Sequence, residues 1–140
     1  MIERYAVVAG RIRQEQDLYL DSAALNLHDF YVGLERIFRH IAATVDQSVP
    51  SGPEWHRELL RQMNLALPQI RPQVISEETT RAIDEYLRFR HIVQNVYAFE
   101  FDPERIAHLV QHLRSSFEQA RTELLAFADL LDDLAQEEQC

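Results

Sequence analysis

The sequence predicts an all-α fold, an antiparallel helical bundle of about five helices. Three observations carry that expectation. The 140 residues include only three glycines and five prolines. Apolar residues recur at three- and four-residue spacing over long stretches, and no alternating apolar–polar run is long enough for a useful strand. A chain of this length buries roughly two-thirds of the surface its unfolded form exposes, so a single domain over 1–140 is expected.

The elements follow in order. Ile2, Tyr5, Ala9, Ile12 and Tyr19 place a first helix at about 2–20. Asp21 or Ser22 caps a second, whose seam is Leu27, Phe30, Leu34, Ile37 and Ile41 and which extends to about Asp46. Ser48-Val49-Pro50-Ser51-Gly52-Pro53 reads as a loop, with Pro53 suited to the first position of a short third helix at about 54–67. Pro68 and Pro72 close that helix. Ser76 followed by Glu77 and Glu78 opens a fourth, because a hydroxyl caps free amides and acids favour the positive end of the helix dipole. Asp102-Pro103-Glu104 opens a long last helix with the seam Ile106, Leu109, Leu113, Ala120, Leu124, Phe127, Leu131 and Leu134. Its acidic end, through Glu137 and Glu138, is expected to fray.

A formal charge of −9 argues against a general nucleic-acid coat. The imbalance is uneven, however: from residue 102 onward nine acids face three arginines, whereas residues 1–101 carry fourteen acids and eleven arginines. Every basic residue is arginine, which reflects genomic base composition more readily than a demand for bidentate phosphate contacts. The one cysteine, Cys140, has no second thiol to bridge, in keeping with a reducing compartment. Met1-Ile2-Glu3-Arg4-Tyr5 is not a basic leader followed by an apolar run, and no stretch approaches the roughly 18 apolar residues of a membrane span. The expectation is a soluble cytoplasmic protein with no membrane association.

The most informative segment is Leu87-Arg88-Phe89-Arg90-His91-Ile92-Val93-Gln94-Asn95-Val96-Tyr97. Ala82, Tyr86, Phe89, Val93 and Val96 step by fours and threes and are expected to form the core seam of the fourth helix. Arg88, Arg90, His91, Gln94 and Asn95 are then expected on a polar arc opposite, facing solvent or a partner, with Tyr97 at its margin. Arg90 and Asn95 would lie roughly 140° apart on an ideal helix, so a site using both needs a bend or a second chain. The plain alternative is a solvated face on which Arg88 pairs with Asp84 or Glu85.

The spacing Arg90-His91-x-x-x-Asn95-x-Tyr97 resembles the arginine, polar residue, three residues, histidine, one residue, tyrosine motif of HepT-like proteins in the HEPN superfamily. His28-Asp29-Phe30-Tyr31-Val32-Gly33-Leu34-Glu35-Arg36-Ile37-Phe38, Ser51-Gly52-Pro53-Glu54-Trp55-His56 and Phe99-Glu100-Phe101-Asp102-Pro103 are similar to the same branch, so the likeness spans about residues 24–106. The resemblance implies a small bundle that forms a homodimer, with two motif helices facing each other across a cleft. It implies the toxin half of a HEPN/MNT toxin–antitoxin pair, a metal-independent ribonuclease that needs no cofactor. In that chemistry a histidine handles the proton at the ribose 2′-hydroxyl or the leaving oxygen, and the arginine stabilises charge on the phosphate. Carried over, Arg90 is the phosphate-stabilising residue. Arg88, Gln94 and Arg36 are candidate RNA contacts. Tyr97 is where a minimal nucleotidyltransferase antitoxin would add AMP to silence the toxin.

This chain departs from the motif at Asn95, which stands where the family has its histidine and cannot act as an acid or base near neutral pH. Such a loss typically costs about 10²- to 10⁴-fold in rate. His91, one helical turn earlier, is the candidate substitute, so Arg90, His91 and Asn95 form the candidate catalytic set. The alternative is a catalytically degenerate HEPN interaction module that binds a nucleotidyltransferase without cleaving RNA.

Other constellations carry less. Glu104, His108 and His112 are spaced by four, and two histidines one turn apart suit zinc. No matching carboxylate–histidine pair stands on another helix, as a di-iron bundle would require; the reading is a surface stripe, with no metal expected. Trp55 reads as a core anchor over the preceding loop. Arg36 and Arg39 read as a solvated face, or as a wider phosphate surface should their helix flank the motif. There is no glycine-rich phosphate loop and no nucleophile elbow.

Overall fold

In the computed structural model the described residues are Val7, 26–95 and 102–139, with side chains described over 26–90 and 102–137. Apart from Val7, the expected first helix at 2–20 lies outside them, as do its successor's cap at Asp21 or Ser22 and Tyr97. Four helices are described: α1 (26–41), α2 (Trp55–Asn64), α3 (Glu77–Asn95) and α4 (Pro103–Gln139).

Helix α1 buries Leu27, Tyr31, Leu34, Phe38 and Ile41, a regular four-three alternation. This corrects the expected seam at one position. Ile37 is 45% exposed, because Phe38 continues the line through Leu34 while Ile37 lies about 80° from Leu27 at 100° per residue. The helix reaches Asp46 as predicted, but its last turn, Ala42–Asp46, widens into a π-turn. Gln47 then closes it in the left-handed region at φ 56°.

The loop that follows turns at Gly52, whose φ of 103° a residue with a side chain adopts only under strain. Pro53 belongs to this turn, and α2 starts two residues later at Trp55, whose N–H donates to the Gly52 carbonyl. The helix also ends earlier than the proline positions suggested. Leu65 is already extended, and Leu67-Pro68-Gln69-Ile70 is a tight turn with Pro68 at its second position and Gln69 at φ 69°.

One side chain explains this early stop. The guanidinium of Arg71 is fully buried and donates to both Asp46 oxygens, at 2.5 and 2.8 Å. It also donates to the carbonyls of Gln62, Leu65 and Pro72. Carbonyls at the end of α2, which have no partner within their own helix, are thereby satisfied by a charged fork that also anchors the end of α1.

Helix α3 begins as expected. Ser76 Oγ accepts the Thr79 N–H at 3.1 Å, and Glu77 and Glu78 occupy the first turn. Glu123 of α4 adds a tertiary cap by accepting from the Ser76 N–H at 2.6 Å and from the Thr79 hydroxyl. Helix α4 opens with Asp102 Oδ1 accepting from the Glu104 N–H at 3.1 Å. Ile106, Leu109, Ala120 and Phe127 are buried as expected, Leu113, Leu124 and Leu131 pack against the core, and Leu134 is exposed. The helix continues through its acidic end to Gln139, where the sequence suggested fraying.

Helix α3 is the centre of the bundle, packing on both α2 and α4. Contacts between Tyr86 and Leu109 and between Thr79 and Glu123 show that it runs antiparallel to α4. No described helix is long and apolar enough to cross a membrane.

Candidate functional site

Because α3 is covered on two sides, its buried arc is wider than the expected seam. Thr79, Ile83, Tyr86, Leu87 and Phe89 are buried, whereas Ala82 is only partly so. At about 100° per residue, position 90 falls within this arc, one turn beyond Tyr86. Arg90 is therefore not on the solvent-facing arc where the sequence suggested it. Its side chain is 12% exposed and points into the bundle.

There Arg90 meets two residues from other helices. Nη1 lies 2.8 Å from Nδ1 and 3.0 Å from Nε2 of His56, in the first turn of α2, and 3.7 Å from Glu35 Oε2 on α1. His56 Nδ1 is in turn 2.7 Å from the same Glu35 oxygen. A carboxylate accepts and a guanidinium only donates, so the consistent arrangement has Nδ1–H donating to Glu35 and Nε2 accepting from Arg90. Glu35 thus fixes the tautomer and ring orientation of His56, and the nitrogen left for proton exchange is Nε2.

Tyr31 completes the cluster from one turn before Glu35. Its ring centroid is 5.8 Å from the Arg90 guanidinium carbon, within range of a cation–π contact. Burial, together with the adjacent Glu35 charge and hydrogen bond, pushes its hydroxyl well above the ordinary tyrosine range, so it remains a neutral donor to Glu35. One donor is unspent: Arg90 Nε is buried without a hydrogen-bond partner. Above His56, the Trp55 ring stacks on the imidazole at 3.5 Å between centroids, and Arg39 lies 4.9 Å over Trp55. Trp55 packs against the core as expected of an anchor.

The other expected site residues are dispersed. Arg88 is on the opposite face of α3, 64% exposed and paired with Asp84 at 3.0 Å, which is the plain surface pairing the sequence allowed. Arg36 is exposed on α1. His91, Gln94 and Asn95 occupy the last turn of α3, but their side chains lie outside those described. His108 pairs with Glu85 at 3.4 Å and lies 4.4 Å from His112 between ring centroids. Among the described residues no group of three histidines, cysteines or acids is placed to hold a metal ion.

Sequence reasoning did not assign Glu35 and His56 to the site, although a signal was present. His56 stands in register with Leu59, Leu60 and Met63, Glu35 with Tyr31, Phe38 and Ala42, and Arg90 with Ile83, Tyr86 and Leu87. Each polar residue therefore occupies a core-facing position of its own helix. Three such interruptions on three helices each need a hydrogen-bond partner, and here they meet one another.

A protein-family model described as HepT-like protein matches residues 22–131. No curated protein and no solved structure matches the chain.

Proposed function

The chain belongs to the HepT-like family, and from that premise we propose that it is the HEPN component of a toxin–antitoxin module, acting on RNA at Arg90 and using His56 where the motif histidine is missing. The observation that carries this reading is the meeting of Arg90, His56 and Glu35. A guanidinium can stabilise charge on a phosphate, and an imidazole oriented by a carboxylate can move a proton, which suits metal-independent phosphodiester transfer.

In this reading the incoming phosphate draws the Arg90 hydrogen bond away from His56 Nε2, with the unspent Nε–H as a second donor. The freed Nε2 takes the proton of the ribose 2′-hydroxyl as that oxygen bonds to phosphorus. The bond from phosphorus to the 5′ oxygen breaks, and the departing oxygen recovers the proton from the imidazolium. Glu35 stabilises the imidazolium while it lasts. A homodimer bringing two motif helices together, and a nucleotidyltransferase that adds AMP to Tyr97, belong to the same proposal and rest on the family motif.

Asn95 favours a second reading, a degenerate module that binds the transferase without cutting RNA. Incubating the purified chain with single-stranded RNA separates the two. Cleavage leaving a 2′,3′-cyclic phosphate end, abolished by Arg90→Ala, supports the nuclease. Intact RNA with wild type and variants alike supports the degenerate module. In cells, growth arrest on expression should be relieved by Arg90→Ala or by the partner transferase.

A further inference from the structure

On a chain with a formal charge of −9, four of the described arginines line one groove. It has a volume of about 240 Å³ and runs between α2 and α3, with Arg57 and Arg61 on one bank and Arg81 and Arg88 on the other. Leu60 lies in it, one helical turn along α2 from His56, while Arg88 stands on the other face of α3 from Arg90. Its charge is only partly compensated. Arg88 pairs with Asp84 at 3.0 Å and Arg81 with Glu77 at 2.7 Å. Arg57 and Arg61 have no acidic partner among the described residues.

The spacing of these charges also matters. Residues four apart on a helix are displaced by about 6 Å along its axis, and residues seven apart by about 10 Å. Arg57 and Arg61 therefore stand about 6 Å apart along the axis, comparable to successive phosphates of an extended strand, and Arg81 and Arg88 form a wider-spaced row across from them. A single phosphate would engage only one end of such a groove. Arginine forks suit phosphodiester oxygens, and uncompensated guanidinium groups at exposed positions bind them with release of counterions.

We propose that the α2–α3 groove is a track for the phosphate backbone of a single-stranded RNA bound by this chain. The inference rests on the reading of the chain as an RNA-acting protein, and it adds Arg57, Arg61 and Arg81 as binding residues and Asp84 as the charge that weakens that binding.

The test measures affinity by fluorescence anisotropy for a labelled 2′-O-methyl RNA of roughly a dozen nucleotides, which cannot be cleaved through the 2′-oxygen, over a series of salt concentrations. Loss of each arginine–phosphate contact should lower the slope of log affinity against log salt by about 0.7. The double variant Arg57→Ala/Arg61→Ala should reduce the slope by about 1.4 and weaken binding by roughly tenfold or more at moderate salt, as expected for losing two charge-assisted contacts. Asp84→Asn should tighten binding several-fold by releasing Arg88. Arg105→Ala/Arg121→Ala on α4 removes the same net charge outside the groove and should leave affinity within about twofold. Equal losses in both double variants, or an unchanged slope in Arg57→Ala/Arg61→Ala, would overturn the groove while leaving the RNA reading intact. The second result would leave the groove to an acidic protein partner. A wild-type chain without affinity for RNA even at low salt would remove both the groove and the RNA reading.

Discussion

Arg90 Nη1 and Glu35 Oε2 stand 3.7 Å apart on different helices, with the His56 imidazole in contact with both. The three side chains are 12%, 6% and 14% exposed. Desolvating a guanidinium and a carboxylate together is costly, and the attraction between them recovers that cost only when the geometry satisfies the remaining donors and acceptors. Here it does not do so fully, since Arg90 Nε is left without a partner. Native structures leave few buried donors unsatisfied, so one at the centre of an ion-paired cluster calls for an explanation. The arrangement fits a site held ready for an anion from outside.

A buried cluster of this kind trades stability against function. Replacing Glu35, His56 and Arg90 together by Leu, Leu and Met should leave stability unchanged or raise it by about 1–4 kcal/mol, as well-packed apolar replacements of buried ion pairs often do. Arg90→Ala alone should destabilise by a few kcal/mol, on the order of 3, because Glu35 keeps its charge without its guanidinium. Urea unfolding reads both values, and RNA cleavage should be lost in each. A triple variant several kcal/mol less stable than wild type would assign the cluster a structural role.

If His56 moves the proton, His56→Ala should lower RNA cleavage by about 10²- to 10⁴-fold, while RNA affinity changes little. Exogenous imidazole should restore part of the rate to His56→Ala but none to Arg90→Ala. The converse change, Asn95→His, supplies the family histidine and should raise cleavage in a His56→Ala background. Full activity of His56→Ala without imidazole would exclude the role.

The fold was legible because helical periodicity and capping are local. Ser76 with Glu77 and Glu78 announced the start of α3, and Asp102 with Pro103 that of α4, from a few adjacent residues. The width of α3's buried face is not local. A seam through Ala82, Tyr86 and Phe89 describes a helix with one covering neighbour, but α3 has α2 and α4 on it, so Ile83, Leu87 and Arg90 are drawn inward. The site was legible only in part for the same reason. Arg90 was identifiable from its motif, whereas its partners stand 34 residues from it at His56 and, for Glu35, 21 residues further back. Nothing local signals such pairings, and only the core-facing register of each residue points toward them. The early end of α2 was likewise hidden, since it depends on Arg71 reaching an aspartate 25 residues away.

The tertiary cap on α3 should be separable from its local cap. Ser76→Ala removes the side-chain acceptor for the Thr79 N–H and should cost about 1 kcal/mol. Glu123→Ala leaves the Ser76 N–H and the Thr79 hydroxyl without their acceptor and should cost about 1–3 kcal/mol. Because these groups share one network, the double variant should lose less or more than the sum by at least about 0.5 kcal/mol. Chemical denaturation of the four proteins in the cycle measures this: an unchanged stability of Glu123→Ala would show that α4 does not support the cap, and strict additivity that the two caps act independently.

The Asp46–Arg71 pair sets an acid limit on stability. Burial by itself would raise the Asp46 carboxyl, but hydrogen bonds from Arg71 and Gln62 and the Arg71 charge outweigh it and hold the carboxyl below the ordinary range. The unfolded chain therefore binds a proton at Asp46 more readily than the folded chain does, so stability rises with pH across that interval. The contribution is complete above the unfolded value, near pH 4, and is lost as pH falls through the lower folded value. Asp46→Asn should destabilise by on the order of 3–5 kcal/mol near neutral pH by leaving the Arg71 charge buried without its carboxylate. The gap between wild type and variant should stay constant down to about pH 5 and then narrow as the wild type loses its advantage. Urea midpoints measured from neutral pH to the acid limit would show this, and a gap that does not narrow before the wild type unfolds would mean that Asp46 is not the titrating group.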